Sequence, residues 1–138
     1  MKDELVTFPT AKLAKEKGFN EFCIYSWYKN IEGKYNIITD YNDPDKNSEL
    51  FDDNYTIPTQ SLLQRWLREV HGLHISFGFV YAASEGKFHG FLCTIRSLNT
   101  DMNDKTPIKR GIGGNFEGRY YTYEEALELA LQEALLIP

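Results

Sequence analysis

Hydrophobic positions recur along this chain with two different periods, and the switches between them lay out its elements. A helix is expected from near Thr10 as its N-cap, through Leu13 and Ala14, to Gly18, where glycine can take the left-handed C-cap conformation and Phe19 can fold back on the last turn. Phe22 to Tyr28 and Tyr35 to Tyr41 are rich in aromatic and β-branched residues and flank Asn30, Glu32 and Gly33, the pattern of a β-hairpin. Residues 42–54 are acidic and polar, contain Pro44, and read as a surface loop. After Pro58 and Thr59, Leu62, Leu63, Trp66, Leu67 and Val70 recur at helical spacing, and Gly72 with Leu73 repeats the earlier stop signal. The period then returns to two. Ile75, Phe77, Phe79 and Tyr81 alternate with His74, Ser76, Gly78 and Val80, Gly86 sits in a turn, and Lys87 to Leu98 form the return strand.

Residues 99–118 are a long polar segment with Pro107 and several glycines, too long for an ordinary connection and therefore flexible or functional. A last helix opens at Thr122, where Thr122 and Glu125 make a capping box with Tyr121 and Ala126 at the staple positions. Ala126, Leu127, Ala130, Leu131, Ala134 and Leu135 give it a broad apolar stripe. The order αββαββα predicts a two-layer α+β fold, with an antiparallel sheet made from two β-hairpins and covered by three helices. One globular domain is expected over residues 1–138. Its spacing suggests an αββ pseudo-repeat, 10–56 and 57–121, followed by the C-terminal helix 122–137.

Composition narrows the function classes. With 138 residues, 42% of them hydrophobic, the chain is long enough for one real core. A net charge of -5 repels phosphate backbones and anionic lipid, so nucleic acid is not an expected partner without a local basic patch. No apolar run approaches the ~18 residues of a membrane span, and no signal peptide is visible, which points to the cytoplasm. Cys23 and Cys93 fall in apolar strand patterns and read as small buried hydrophobes.

Three segments carry a resemblance: AKLAKEKGF (Ala11 to Phe19), IPTQSLLQRWLREVHGLHI (Ile57 to Ile75) and YEEALELALQEALLIP (Tyr123 to Pro138). They resemble a group of small uncharacterised proteins of gut anaerobic bacteria and their phages or mobile elements. The resemblance implies a bacterial or phage cytoplasmic origin and an accessory role, and it transfers no site residue.

Candidate chemistry is sparse. Asp43, Asp45 and Asn47 stand at positions 1, 3 and 5 of a calcium-type loop, but Ser48 replaces the turn glycine and Asn54 the closing glutamate, so a turn held by Asx-type hydrogen bonds is the stronger reading. His71 and His74 form an H-x-x-H interrupted by Gly72, which weakens a zinc reading. Lys109, Arg110, Gly111, Gly113, Gly114 and Asn115 place two cations beside a glycine cluster whose amides could converge on an anion or a nucleotide phosphate, though without the order of a Walker loop. Gln60, Gln64, Arg65 and Arg68 carry the side chains of a DNA-reading helix, yet its companion helix is missing. No catalytic constellation and no cofactor is expected. The preferred expectation is a non-enzymatic binding or accessory protein that meets a protein partner or itself, with Tyr25, Trp27, Tyr28, Tyr120 and Tyr121 as interface candidates. The alternative is an anion or nucleotide-phosphate binder or enzyme using the glycine-rich loop 109–115.

Overall fold

A computed structural model describes residues 3–82, 87–98, 107–113, 115–116 and 119–138. The fold is α+β, and among the described residues it contains three α-helices, two three-stranded antiparallel sheets and a pair of two-residue strands. The chain divides into two compact units, Met1–Leu63 and Gln64–Pro138, the division falling inside a helix.

In the first unit, helix α1 spans Phe8–Glu16 and begins three residues earlier than the sequence pattern suggests. Thr7, not Thr10, is the N-cap, and Thr10 is buried inside the helix. Pro9 does not delay the start, because the amide that proline lacks would have no intrahelical partner in a first turn. The helix stops as expected. Gly18 takes φ +99°, its amide donates to the Lys15 carbonyl and that of Phe19 to the Ala14 carbonyl, closing a Schellman motif. Strands β1 (Tyr25–Lys29) and β2 (Tyr35–Thr39) form the expected hairpin, with Tyr25 opposite Thr39 and Lys29 opposite Tyr35.

The segment 42–54 departs from the expected surface loop. It contains a 3₁₀ turn, Asn47–Glu49, pairs back through an isolated bridge between Cys23 and Asp45, and leads into β3 (Tyr55–Thr56), which adds to the other edge of β1. The sheet order is therefore β2-β1-β3. Asn47 and Asn54 are buried, because each completes a backbone network with its side-chain amide. The Asn47 Nδ2 donates to the Phe19 carbonyl at 2.8 Å while its Oδ1 accepts from the Thr56 amide at 3.0 Å. Asn54 Oδ1 accepts from the Lys29 amide, extending the β1–β3 ladder by one contact. Turn chemistry of the expected kind is also present, since Asp40 Oδ1 accepts from the amides of Asn42 and Asp43.

Helix α2 (Gln60–His71) starts after Thr59, whose hydroxyl accepts from the Leu62 amide. Leu63, Trp66 and Leu67 are buried as its periodicity predicts, but Val70 is 59% exposed and leaves that face. Gly72 has φ +64° and passes the chain directly into β4 (Leu73–Ala82). In the second unit β4 pairs with β5 (Lys87–Ser97), with Ile75 opposite Ile95 and Phe77 opposite Cys93. The alternating face is buried at Ile75 and open at Phe79. Gly86, expected in the turn, lies outside the described residues.

The polar segment after β5 supplies another strand in place of a loop: β6 (Lys109–Gly113) joins β5 to give the order β4-β5-β6. Two short strands, β7 (Asn115–Phe116) and β8 (Arg119–Tyr120), pair before helix α3 (Tyr123–Leu135). The capping box is formed, Thr122 Oγ1 accepting from the Glu125 amide and Glu125 Oε1 from the Thr122 amide, both at 3.2 Å. Helix α3 covers the sheet with the stripe read from its sequence, all six residues of which are buried. Tyr123 stacks on Phe77 with ring centroids 4.2 Å apart and meets Phe91 edge-on. The third strand pairs with the first strand in one unit and with the second in the other, so the two sheets differ in order.

Candidate functional site

The β1–β2 hairpin carries Tyr25, Trp27, Tyr28 and Tyr35, four of the ten aromatic residues of the first unit. Directly opposed residues share a face, so Trp27, Ile37 and Tyr55 lie on one side and Ser26, Ile38 and Thr56 on the other. Phe8, at the first position of α1, covers the first side, with its ring 5.7 Å from Trp27, 4.7 Å from Tyr35 and 5.6 Å from Tyr55. Lys15 holds this cluster down from the other end of the helix, donating to the carbonyls of Phe51 and Asn54 and resting 5.3 Å above the Tyr55 ring. Burial lowers its pKa, partly opposed by Asp52 and Asp53. On the second side Tyr28 donates to the Asp45 carboxylate, and burial beside Asp45 raises the pKa of its phenol.

This coverage stops short of β2. Ile37 and Ile38 are 48% and 49% exposed on opposite faces, and Phe22, Ile31, Tyr41 and Phe51 are exposed around the same hairpin. Of the interface candidates, Trp27 packs inside the aromatic cluster, where its indole Nε1 is buried with no acceptor among the described residues. Tyr25 reaches the surface, its hydroxyl 3.2 Å from that of Tyr41. Tyr121 is half-buried, its carbonyl accepting from the Phe91 amide, and the Tyr120 side chain lies outside the described residues. Pattern reading missed Ile37 and Ile38, because apolar residues in a strand are assigned to the core by default.

An apolar cavity of about 190 Å³ lies beside the hairpin, walled by Leu5, Phe22, Ile24, Ile57 and Leu62, with Cys23 among its lining. Burial pushes this thiol up to about 11, with the neighbouring Thr56 hydroxyl opposing, so at neutral pH it is a neutral wall group and a poor nucleophile. Cys93, on the buried side of β5, is pushed up to about 12 for the same reason. Both cysteines are free, as expected. The native protein should therefore react slowly with iodoacetamide at pH 8 and rapidly once unfolded in urea, which mass spectrometry can count. Each thiol binds its proton more tightly when folded than when unfolded. Its stabilising share is full below pH 9.0 and is lost as pH rises through 11 to 12, so stability should decline across that window and decline less in Cys93→Ala.

The acidic residues of the calcium-type pattern are dispersed by the fold. Asp43 is exposed, Asp45 accepts from Tyr28, and Asn47 turns inward with both amide atoms engaged. Among the described residues no three His, Cys, Asp or Glu side chains converge to hold a metal ion. His71 ends α2 edge-on to Trp66 at 4.7 Å, while His74 stands in β4 opposite Arg96. The DNA-reading pattern also comes apart: Gln60 is buried, and Gln64 donates to the Ile75 carbonyl.

Lys109, Arg110, Gly111 and Gly113 lie in β6, while Gly114 and the Asn115 side chain lie outside the described residues. Lys109 is held by the Glu133 carboxylate of α3 at 2.5 Å. Gly113 has φ +90°, and a Cβ there would come within 3.2 Å of the Phe91 carbonyl oxygen and 3.3 Å of the Ala126 Cβ. The positive φ, the β5 backbone and α3 together favour glycine at 113. Gly111 has φ +65° but open space around it. Gly113→Ala should cost about 2–4 kcal/mol and Gly111→Ala about 1 kcal/mol in urea titrations, the difference measuring the crowding by the Phe91 carbonyl and Ala126.

No described helix is long and apolar enough to cross a membrane. No protein-family model matches this chain, and no curated protein or solved structure was found to be similar to it.

Proposed function

We propose that this is a non-enzymatic binding or accessory protein of the bacterial or phage cytoplasm, and that it binds another protein chain through the β1–β2 hairpin of its first unit. The observation that carries the reading is the exposure of Ile37 on one face of β2 and Ile38 on the other, in a unit that also exposes Phe22, Ile31, Tyr41 and Phe51. Each exposed isoleucine forgoes a burial gain of ~1.5–3 kcal/mol, which a partner covering β2 would recover. Tyrosine and phenylalanine at the margin supply contact area at small entropic cost.

A photo-crosslinking amino acid in place of Ile38 tests it. Irradiation in bacterial cells should yield a discrete protein adduct from position 38 and none from Leu136, an exposed apolar position in the second unit. Absence of any adduct from position 38 would overturn the reading.

A further inference from the structure

We infer that the chain pairs with a second copy of itself along β2, in an antiparallel, two-fold register centred on Ile37. This rests on the hairpin being a binding surface and names its partner.

The backbone of β2 is set up for such pairing. The Asn30 amide donates to the Lys34 carbonyl and the Asp40 amide to the Ile24 carbonyl, so Lys34, Asn36, Ile38 and Asp40 turn their polar groups toward β1. The alternation leaves the amides and carbonyls of Tyr35, Ile37 and Thr39 pointing outward. Among the described residues no strand pairs with that edge. The strand reads Tyr-Asn-Ile-Ile-Thr, with no proline, glycine or charge to discourage a neighbour.

Among the described residues, the other edges of the two three-stranded sheets are each protected. Strand β3 is two residues long. Strand β4 has the Gln64 side chain on its Ile75 carbonyl and a bulge between Val80 and Tyr81, which twists the far end. Strand β6 carries Lys109 and Arg110 and a register shift against β5. Strands β7 and β8, at two residues each, are as short as β3, so β2 is the one long unprotected edge among the described residues.

Charge selects the partner and the register. In an antiparallel pair centred on Ile37, Tyr35 faces Thr39 of the second copy, so all three outward residues exchange hydrogen bonds. Asn36 then faces Ile38, and Lys34 faces Asp40. Both flanking charges are exposed, and the two-fold axis makes the Lys–Asp contact twice. Shifting the pair by two residues sets Lys34 against Asn42 or against Ile38 and loses both contacts. A five-residue strand pair is below the size of a standard interface, so the dimer is expected to be weak and strongly concentration dependent.

Sedimentation velocity on the full chain at low salt, over a wide concentration range, tests this. The protein should pass from monomer to dimer. Lys34→Asp or Asp40→Lys should each weaken dimerisation roughly tenfold, because each reversal turns two attractions into two repulsions. The double variant Lys34→Asp/Asp40→Lys should restore it. Ile37→Lys, which sets two ammonium groups together at the axis, should abolish it while leaving the circular dichroism spectrum unchanged; this second variant covers a disturbance of the Asp40 turn by Asp40→Lys. A chain that stays monomeric at every concentration would overturn self-pairing, as would a dimer indifferent to Lys34→Asp and Ile37→Lys. A Lys34→Asp variant without effect on a dimer that Ile37→Lys abolishes would overturn the register. The crosslink from position 38 separates the two readings. A heterologous adduct from a monomeric chain removes only self-pairing, whereas no adduct removes the binding surface as well.

Discussion

Phe19→Ala is expected to destabilise the protein by about 3–5 kcal/mol, the cost of emptying a fully enclosed aromatic site. Phe19 is 1% exposed and is the largest of the fully buried side chains among the described residues. It is also tied by its backbone, since its amide closes the Schellman motif of α1 and its carbonyl accepts from Asn47. Those two hydrogen bonds hold the residue in place, so the surroundings cannot close over the void by moving the chain. A urea titration against Phe51→Ala makes the comparison internal. Phe51 is exposed, and its loss should register within about 0.5 kcal/mol of zero. Equal effects from the two substitutions would contradict the placement of Phe19.

Asn47→Ala should cost about 2–4 kcal/mol through a different route. No large cavity is made. Instead, the Phe19 carbonyl and the Thr56 amide, both inside the unit, lose their partners together. Asn47→Asp separates the two bonds. An aspartate can still accept from Thr56, but its carboxylate confronts the Phe19 carbonyl, which should favour the protonated acid. Its folded pKa would then stand above its unfolded value. The variant should be closest to wild type at acid pH and lose ground as pH rises, whereas Asn47→Ala should show no such trend. Chemical denaturation of the three proteins at acid and neutral pH reads this directly.

Much of the fold was legible wherever a local rule decides the backbone. Gly18 and Gly72 end helices because glycine tolerates positive φ, Thr122 opens one because its hydroxyl satisfies an orphaned amide, and the two hairpins follow from alternation and turn residues. What stayed hidden depends on distant partners. Strand β3 is two residues in a polar stretch and β6 is glycine-rich and cationic, so neither shows alternation; each exists because a neighbouring strand offers its edge. Asn47 reads as a solvated loop residue, since nothing local reveals that residues 19 and 56 meet it. The exposure of Val70, Phe79, Ile37 and Ile38 is hidden likewise, because periodicity gives a face but not what covers it. The proposed surface was half legible: tyrosines at 25 and 28 mark the same hairpin in the sequence, while the open edge at β2 appears only once strand order is known.

The closeness of α3 to its sheet has a consequence for how this protein can vary. Ala126, Ala130 and Ala134 are fully buried, and Ala126 meets the sheet where Gly113 has no side chain. A layer built on methyl groups and a bare Cα has no flexible side chain to swing aside. Aliphatic residues such as Leu131 or Ile95 can trade size with their neighbours, whereas the alanine seam accepts only residues of nearly its own volume. Descendants of this chain should therefore diverge most slowly along that seam, and an engineer adding bulk to the second unit should place it elsewhere.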